Sequence, residues 1–388
     1  MFLIERLIGV GIYASLLILV CLYINGKKLK SIKRTLFFYA LVLSILAFFY
    51  TPYETADLYR IYESIRAFQK YTFEKFWDVH IVNSDAGLSK ILYWIVGKTG
   101  TPQLLPSTVA FVCYNCIFYI ICKTAETNKI SGKNIAITVF FYMTTETYLS
   151  IIGGIRCMLG VCLLAFCFYR ENYEKRFNII HIPIYAFSFF IHAFSAILII
   201  LRFVIPAFSG KKSFLKRIIY ILLLGITIAF SYQYIAGYLE SVISKAEDYL
   251  ENTAYSYFWG YMIDIVALFT MMSVLFRSIQ FKKKENIEKL SVMWMYLLVC
   301  LISAIVFCFE YSIFTRLILH ISPIICLPIL MTVLQYNDEA DASIQHVRSS
   351  AYTRIRHNYN SMFMYLSLVL LFLSCIRGET SSLKFFVL

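Results

Sequence analysis

Long apolar runs separated by short polar segments follow one another along almost the whole chain. A helix needs about 20 mostly apolar residues to cross the roughly 30 Å hydrocarbon core of a bilayer. Runs close to that length predict spans near residues 3–24, 35–53, 104–122, 134–152, 155–170, 218–239, 258–277, 290–309, 313–335 and 358–376. The predicted fold class is all-α: a polytopic integral membrane protein with about 10–11 transmembrane helices, forming a single transmembrane domain over residues 1–388.

The apolar stretch 178–206 does not fit a single crossing of the membrane. Clusters of basic residues flank it on both sides, so both of its ends are expected on the cytoplasmic face. About 29 residues give two helices of only about 20 Å each, which is shorter than the hydrocarbon core. We therefore expect a re-entrant hairpin over 178–206, with His192 near its turn.

Two segments between the predicted spans are long, 54–103 and 240–257. They fall on the side opposite to the basic loops, so we predict that both face outward. The first contains an amphipathic stretch that ends near Trp77 and a short apolar piece, 88–97. Because this piece is too short to span the bilayer, we expect it to lie at the outer interface.

The composition is that of a membrane protein, and the distribution of basic residues along the chain accounts for the net charge. Hydrophobic residues make up 60% of the chain and charged residues 15%, which leaves too little polar surface to cover a water-soluble globule. The formal net charge of +13 could indicate a nucleic-acid partner. Lysine and arginine are concentrated in alternate loops, however, and this is the distribution that the positive-inside rule describes for loops on the cytoplasmic face. We therefore predict membrane lipids, and no nucleic acid, as partners.

Several motifs of soluble and metal-dependent enzymes are absent from the sequence. It has no Gly-rich phosphate loop, no His-Glu-x-x-His and no Asp-x-Asp, and an enzyme that uses sugar nucleotides with a divalent cation is therefore disfavoured. Cys113 and Cys116 form a C-x-x-C inside an apolar run without a second pair or a histidine nearby, which favours a helix core over a zinc site. No metal and no cofactor are predicted.

Arg156 is the first candidate for a binding site. It follows Gly153 and Gly154, which break the chain between two predicted spans, and it opens the next helix. Its guanidinium would add to the positive end of the helix, an arrangement that suits a phosphate or a pyrophosphate. The alternative is an interfacial arginine whose side chain extends to lipid head groups.

Arg316 and His320 form a second candidate pair. They are four residues apart and would share one helix face. Two cationic or donor groups on one face again favour a phosphate, while the alternative pairs Arg316 with Glu310 at the membrane rim.

Three further residues each allow two interpretations of their role. His192 is either a base or phosphate ligand, or a hydrogen-bonded structural histidine. Asp57 is either a base or part of a solvated charged face together with Glu54. Tyr59 is suited to stacking on sugar rings, or belongs to the aromatic belt of a membrane protein.

The order of these features resembles the EpsG-like family of bacterial polysaccharide polymerases, a branch of the Wzy-type group, over about residues 50–335. The features are an outward loop with Asp57 and Tyr59, the step Asp85-Ala86-Gly87-Leu88, Ile155-Arg156 at a helix start, Phe190-Ile191-His192 before an apolar helix, and a late Arg316. Arg156 is followed here by Cys157, where the family commonly has glutamine.

The resemblance implies a glycosyltransferase-type polymerase in the bacterial cytoplasmic membrane, with a fold similar to the GT-C class. It implies transfer of a growing glycan from undecaprenyl pyrophosphate onto the next lipid-linked repeat unit, on the outer face and without metal. Lipid-linked oligosaccharides, a flippase and a chain-length regulator would be its partners. Arg156, Arg316 and His320 would then neutralise the pyrophosphate, and either His192 or Asp57 would act as the base.

Two other classes of protein fit the same composition. A flippase for lipid-linked oligosaccharides also needs a cationic cavity, but it would carry ionisable residues deep in several spans and two related halves. Only Asp264 is clearly in mid-span in the sequence. A membrane O-acyltransferase of surface glycans would have its catalytic histidine in an early helix or a His-rich motif, whereas the first two predicted spans contain no histidine.

Overall fold

The computed structural model describes residues 2–54, 56–81, 87–192, 194–208, 222, 225, 254–279, 287–344 and 351–377. Every regular element within these ranges is a helix, so the predicted all-α class is confirmed for this part of the chain. Within the same ranges, four helices are long and apolar enough to cross a membrane: Leu29–Phe48, Leu104–Asn128, Gly260–Ile279 and Tyr311–Glu339. The total number of spans and the orientation in the membrane stay predictions.

Sixteen α-helices cover most of the described residues. In chain order they are α1 (Phe2–Ile24), α2 (Leu29–Phe48), α3 (Asp57–Phe68), α4 (Phe73–His80), α5 (Gly87–Lys98), α6 (Leu104–Asn128), α7 (Gly132–Thr145), α8 (Tyr148–Gly153), α9 (Ile155–Phe168), α10 (His181–Ile191), α11 (Ser195–Phe208), α12 (Ala254–Ile279), α13 (Ile287–Val306), α14 (Tyr311–Thr315), α15 (Ser322–Ile344) and α16 (Ala351–Arg377). A π-helical turn, Tyr169–Tyr173, extends α9, and a second, Arg316–Ile321, joins α14 to α15.

The stretch 178–206 contains two helices, α10 and α11, that are separated at His192. This is the break that the sequence predicts, and the re-entrant course of the segment stays a prediction. The segment 54–103, which is predicted to face outward, contains the three helices α3, α4 and α5. Apart from residues 222 and 225, the predicted span 218–239 lies outside the described residues, as does most of the predicted loop 240–257. Helix α12 already begins at Ala254.

The predicted span 134–152 is interrupted in its second half. The hydroxyls of Thr144 and Thr145 both donate to the carbonyl oxygen of Phe141, at 3.0 and 2.8 Å. Such bonds compete with the helical hydrogen-bond ladder. The backbone at Glu146 is extended, with φ −94° and ψ 107°, and α7 ends before it. The break therefore places a carboxylate inside a segment that the sequence predicts as one continuous helix.

The described chain divides into two compact units, each assembled from separate segments. Unit 1 comprises Met1–Tyr39, Ile117–Tyr148 and Ala254–Leu383, and unit 2 comprises Ala40–Cys116, Leu149–Thr253 and Lys384–Leu388. The units alternate along the sequence, so neither is a contiguous stretch of chain.

Unit 1 is built around α15, which packs against α7, α12, α13 and α16. A polar cluster fixes one end of this bundle. Asp338 of α15 accepts hydrogen bonds from the amides of Asn134 and Asn360, both at 3.0 Å, and pairs with Lys133 at 3.2 Å. Since amide donors and a cation surround this carboxylate, the ends of α7, α15 and α16 are held together.

Unit 2 is built around α5 and α9. Helix α9 packs against α10 and α11, while α5 packs against α3, α4 and α10. Two pairs of helices in unit 2 pack so closely that a glycine is required at the contact. A Cβ atom at Gly97 of α5 would lie 2.8 Å from the carbonyl oxygen of Ile65 in α3, and a Cβ at Gly160 of α9 would overlap the hydroxyl of Ser195 in α11.

Replacing Gly160 with valine should lower the thermal unfolding temperature of the detergent-solubilised protein. The branched side chain would push α11 away from α9, and overpacking of this kind costs about 1–3 kcal/mol. Gly11→Val is the matched control, because a Cβ at Gly11 meets no atom within 4 Å. Equal unfolding temperatures for the two variants would contradict the close contact between α9 and α11.

Candidate functional site

The break between α8 and α9 fixes the position of Arg156. Helix α8 ends at Gly153, and Gly154 caps α9 with φ −86° and ψ 38°. A Cβ atom at Gly154 would lie 2.7 Å from the carbonyl oxygen of Ser150, so a larger residue would displace the backbone. Arg156 is the second residue of α9, where backbone N–H groups have no partner within the helix.

Arg156 is half-buried, and its charge is not compensated within the described residues, where it makes no hydrogen bond or ion pair. The nearby Tyr93 of α5 is 6% exposed. Its hydroxyl has no hydrogen-bond partner among the described residues. Burial raises the pKa of Tyr93 above its usual value, with a smaller lowering effect from Arg156 and a raising effect from Asp57. These electrostatic effects place Arg156, Tyr93 and Asp57 in one neighbourhood, called the Arg156 cluster below.

Asp57 and Tyr59 lie in the first turn of α3. The Oδ1 atom of Asp57 is 3.6 Å from the Nη1 atom of Arg60, and both side chains are 72% exposed. An ion pair this exposed contributes little to stability. Asp57 is therefore exposed in this structure, its role as a base stays a prediction, and it contributes negative charge in the neighbourhood of Tyr93. Tyr59 is half-buried.

His192 ends α10 and has a defined hydrogen-bonding pattern. Its Nδ1 accepts a hydrogen bond from the backbone N–H of Phe194 at 3.2 Å, and its carbonyl oxygen accepts from the N–H of Ser195 at 3.0 Å. An acceptor at Nδ1 means that the neutral ring carries its proton on Nε2. In this geometry Nε2 is a donor, and the ring does not have the tautomer that a base acting through Nε2 requires.

A second cluster lies in unit 1, on the π-helical turn Arg316–Ile321. The Nδ1 atom of His320 is 2.9 Å from a carboxylate oxygen of Glu146. Glu146 is completely buried, and 15% of the His320 side chain is exposed. Arg316 is half-buried at the start of the same turn. Turns of this kind are frequent at functional sites, and we call Glu146 and His320 the dyad.

Next to this turn, the hydroxyl of Thr315 donates to a carboxylate oxygen of Asp264 at 2.6 Å, and Asp264 is completely buried. Arg316 and His320 belong to unit 1, whereas Arg156, Asp57, Tyr59 and His192 belong to unit 2. The predicted site residues are therefore divided between the two units, and each group is described within its own unit.

A third cluster of ionisable residues is centred on Glu171, in the other π-helical turn. One carboxylate oxygen of Glu171 contacts Nδ1 of His181 at 2.8 Å and accepts from the hydroxyl of Tyr185 at 3.1 Å. The other accepts from Nε of Arg202 at 2.6 Å. Glu171 is 3% exposed and His181 is completely buried. These four residues, the Glu171 cluster, connect the end of α9 to α10 and α11.

Three important residues were not identified from the sequence. Tyr93 looks like any aromatic residue at a membrane interface, and Glu171 looks like an acid of a cytoplasmic loop. Glu146 carries the one visible signal, since it is a carboxylate within a predicted span of mostly apolar residues, and such residues are rare and tend to be functional.

Among the residues that the structure describes, no three His, Cys, Asp or Glu side chains lie close enough together to hold a metal ion. Comparison of the chain with protein-family models, with curated proteins and with solved structures gives no match.

Proposed function

We propose that the protein is a glycosyltransferase-type polymerase that joins lipid-pyrophosphate-linked oligosaccharide repeat units. The donor would be an oligosaccharide on undecaprenyl pyrophosphate at the outer face of a bacterial cytoplasmic membrane. The growing chain would be transferred from this carrier to a sugar hydroxyl of the next lipid-linked unit.

The observation that carries this proposal is the half-buried guanidinium of Arg156 at the start of α9, which makes no hydrogen bond or ion pair within the part of the chain that the structure describes. A pyrophosphate leaving group develops negative charge as its bond to the sugar breaks. Fixed donors aimed at such charge stabilise the transition state, and a planar guanidinium can hold two phosphate oxygens at once.

The surroundings of Arg156 support the same chemistry. The buried hydroxyl of Tyr93, for which no partner is described, provides a neutral donor within electrostatic range of the guanidinium. Because burial keeps the pKa of Tyr93 above its usual value, the phenol retains its proton and can donate it to a phosphate oxygen.

A flippase for lipid-linked oligosaccharides is the second candidate function. It is favoured by ionisable side chains that are buried within helices or at their breaks, namely Glu146, Asp264, Glu171 and His181. From the sequence, Asp264 alone was clearly placed in mid-span. Buried ionisable groups commonly mark substrate and proton pathways in transporters.

Purified protein in detergent, mixed with a lipid-linked repeat unit, should produce a ladder of longer lipid-linked glycans. The ladder should persist in the presence of a chelator, because the proposed charge stabilisation comes from Arg156 and not from a metal ion. Gel electrophoresis of the products measures the result. Loss of the ladder on chelation would contradict the metal-independent mechanism. Movement of the repeat unit across the membrane of proteoliposomes, without lengthening of the glycan, would support the flippase instead.

A further inference from the structure

His192 lies in the short turn between α10 and α11, and the backbone of this turn fixes the tautomer of its ring. The N–H of Phe194 donates to Nδ1 of His192 at 3.2 Å. A ring nitrogen that accepts a hydrogen bond carries no proton, so the proton of the neutral ring lies on Nε2. His192 therefore presents at Nε2 an N–H group that donates a hydrogen bond.

The packing of α9 and α10 directs this turn toward the start of α9. Helix α10 begins at the far end of α9, where the Glu171 cluster connects the two helices, and its last turn reaches Gly160. A Cβ atom at Gly160 would lie 3.5 Å from the Cγ2 atom of Ile191. The two helices therefore run in opposite directions, and the chain leaves α10 toward the first turn of α9.

Arg156 lies one helical turn from this contact. It precedes Gly160 by four residues in α9, so the two residues share one face of the helix and are about 6 Å apart along its axis. Side chains of a helix lean toward its N-terminus, which is the direction in which the chain leaves α10. Arg156 and His192 therefore lie at the same end of the α9–α10 pair, and both belong to unit 2.

A buried hydroxyl adds to the polar groups at this end of the helix pair. Ser195 is the first residue of α11 and is completely buried, and a Cβ atom at Gly160 would overlap its Oγ atom. The hydroxyl of Ser195 has no hydrogen-bond partner among the described residues. Buried polar groups are rarely left without a partner, and the start of a helix favours anions. These groups therefore suit a phosphate.

We propose that His192 donates a hydrogen bond from Nε2 to the pyrophosphate of the donor, as a second ligand of the leaving group together with Arg156, and that it is not the base. This inference rests on the proposed polymerase function. The oxygen of the acceptor hydroxyl forms a bond to the anomeric carbon, and the proton of that hydroxyl passes to solvent water. The bond between the carbon and the pyrophosphate oxygen breaks, and its electron pair leaves with the pyrophosphate. The Nε2–H group stabilises the negative charge that develops there and keeps its proton.

Two substitutions of His192 separate a donor from a base, in full-length protein in detergent with a lipid-linked repeat unit as donor and acceptor. His192→Phe keeps a ring but removes the N–H, and kcat should fall by about 10- to 100-fold, the usual effect of losing a hydrogen bond to a charged group. His192→Gln provides an amide N–H near the position of Nε2, and its kcat should stay within a few-fold of the wild type. A general base would lose about 10²- to 10⁴-fold in both variants, because an amide takes up no proton.

His80→Phe is the matched control, because the His80 ring packs among Phe68, Tyr71 and Phe76, and its kcat should match that of the wild type. Calorimetric titration with inorganic pyrophosphate gives a second measurement that needs no polymerisation. His192→Phe should raise the dissociation constant by about tenfold, and His192→Gln should leave it nearly unchanged. Thermal unfolding temperatures within a few degrees of the wild type would show that the losses do not come from misfolding.

The outcomes separate this inference from the function on which it rests. Equally large losses of kcat in His192→Phe and His192→Gln would make His192 a base and overturn the inference. Unchanged kcat and unchanged pyrophosphate affinity in His192→Phe would also overturn it and leave the polymerase standing. A wild-type protein that binds pyrophosphate through His192, but transports the repeat unit without lengthening it, would overturn the polymerase and not the phosphate contact.

Discussion

Replacing Arg156 with lysine should lower the rate of polymerisation by on the order of a hundredfold, although the net charge of the protein is kept. An ammonium group acts as a point charge, whereas a guanidinium holds two phosphate oxygens in a fixed geometry. Loss of one preorganised donor to a developing oxyanion costs roughly 3 kcal/mol, which corresponds to this factor. The rate is measured as the formation of the first lengthened product by purified protein in detergent.

Arg66→Lys is the matched control for this experiment. Arg66 also lies in unit 2, but it forms an exposed ion pair with Glu63 at 2.7 Å, with side chains 56% and 53% exposed. Its replacement should leave the rate unchanged. An Arg156→Lys variant that is well expressed and polymerises at the wild-type rate would show that Arg156 merely extends to lipid head groups, and the assignment of Arg156 would be wrong.

Replacing Glu171 with alanine should reduce the free energy of unfolding by about 3–5 kcal/mol, the usual cost of removing one partner from a buried ion pair. Arg202 would lose its carboxylate at 2.6 Å and keep a mostly buried charge, since only 17% of its side chain is exposed. His181, which is completely buried, would lose the acceptor of its Nδ1 atom. Denaturant or thermal unfolding in detergent, followed by the fluorescence of the tryptophans, measures the change.

Glu63→Ala is the control for Glu171→Ala, because it also removes a carboxylate from an arginine ion pair. That pair is exposed, and pairs of this kind contribute about 0–1 kcal/mol. Similar unfolding energies for the two variants would mean that the Glu171 cluster does not connect α9 to α10 and α11.

Local features of the sequence predict the local features of the site. The Gly153-Gly154 pair predicts the helix start before Arg156, and α9 begins at Ile155. The apolar stretch with His192 near its centre predicts a break there, and α10 ends at Ile191. The first prediction depends on the backbone preferences of two glycines, and the second on the length of an apolar stretch and the basic clusters that flank it; a sequence displays both directly.

The sequence is less informative about which ionisable residues are buried. Glu171 lies in a basic segment that the sequence predicts as a loop, yet it is enclosed by side chains from α10 and α11. The carboxylate of Glu146 meets His320, which is 174 residues away along the chain. Periodicity and charge patterns say nothing about such distant partners.

The sequence by itself therefore determines the helical fold class and the position of several helix breaks, because apolar runs and glycine pairs act locally. Only the tertiary structure decides the environment of Tyr93, the orientation of the His320 ring by Glu146, and the burial of Glu171. The physical reason is that the protonation state and the tautomer of a side chain depend on burial and on hydrogen-bond partners, and in this chain those partners are brought together by the packing of separate helices.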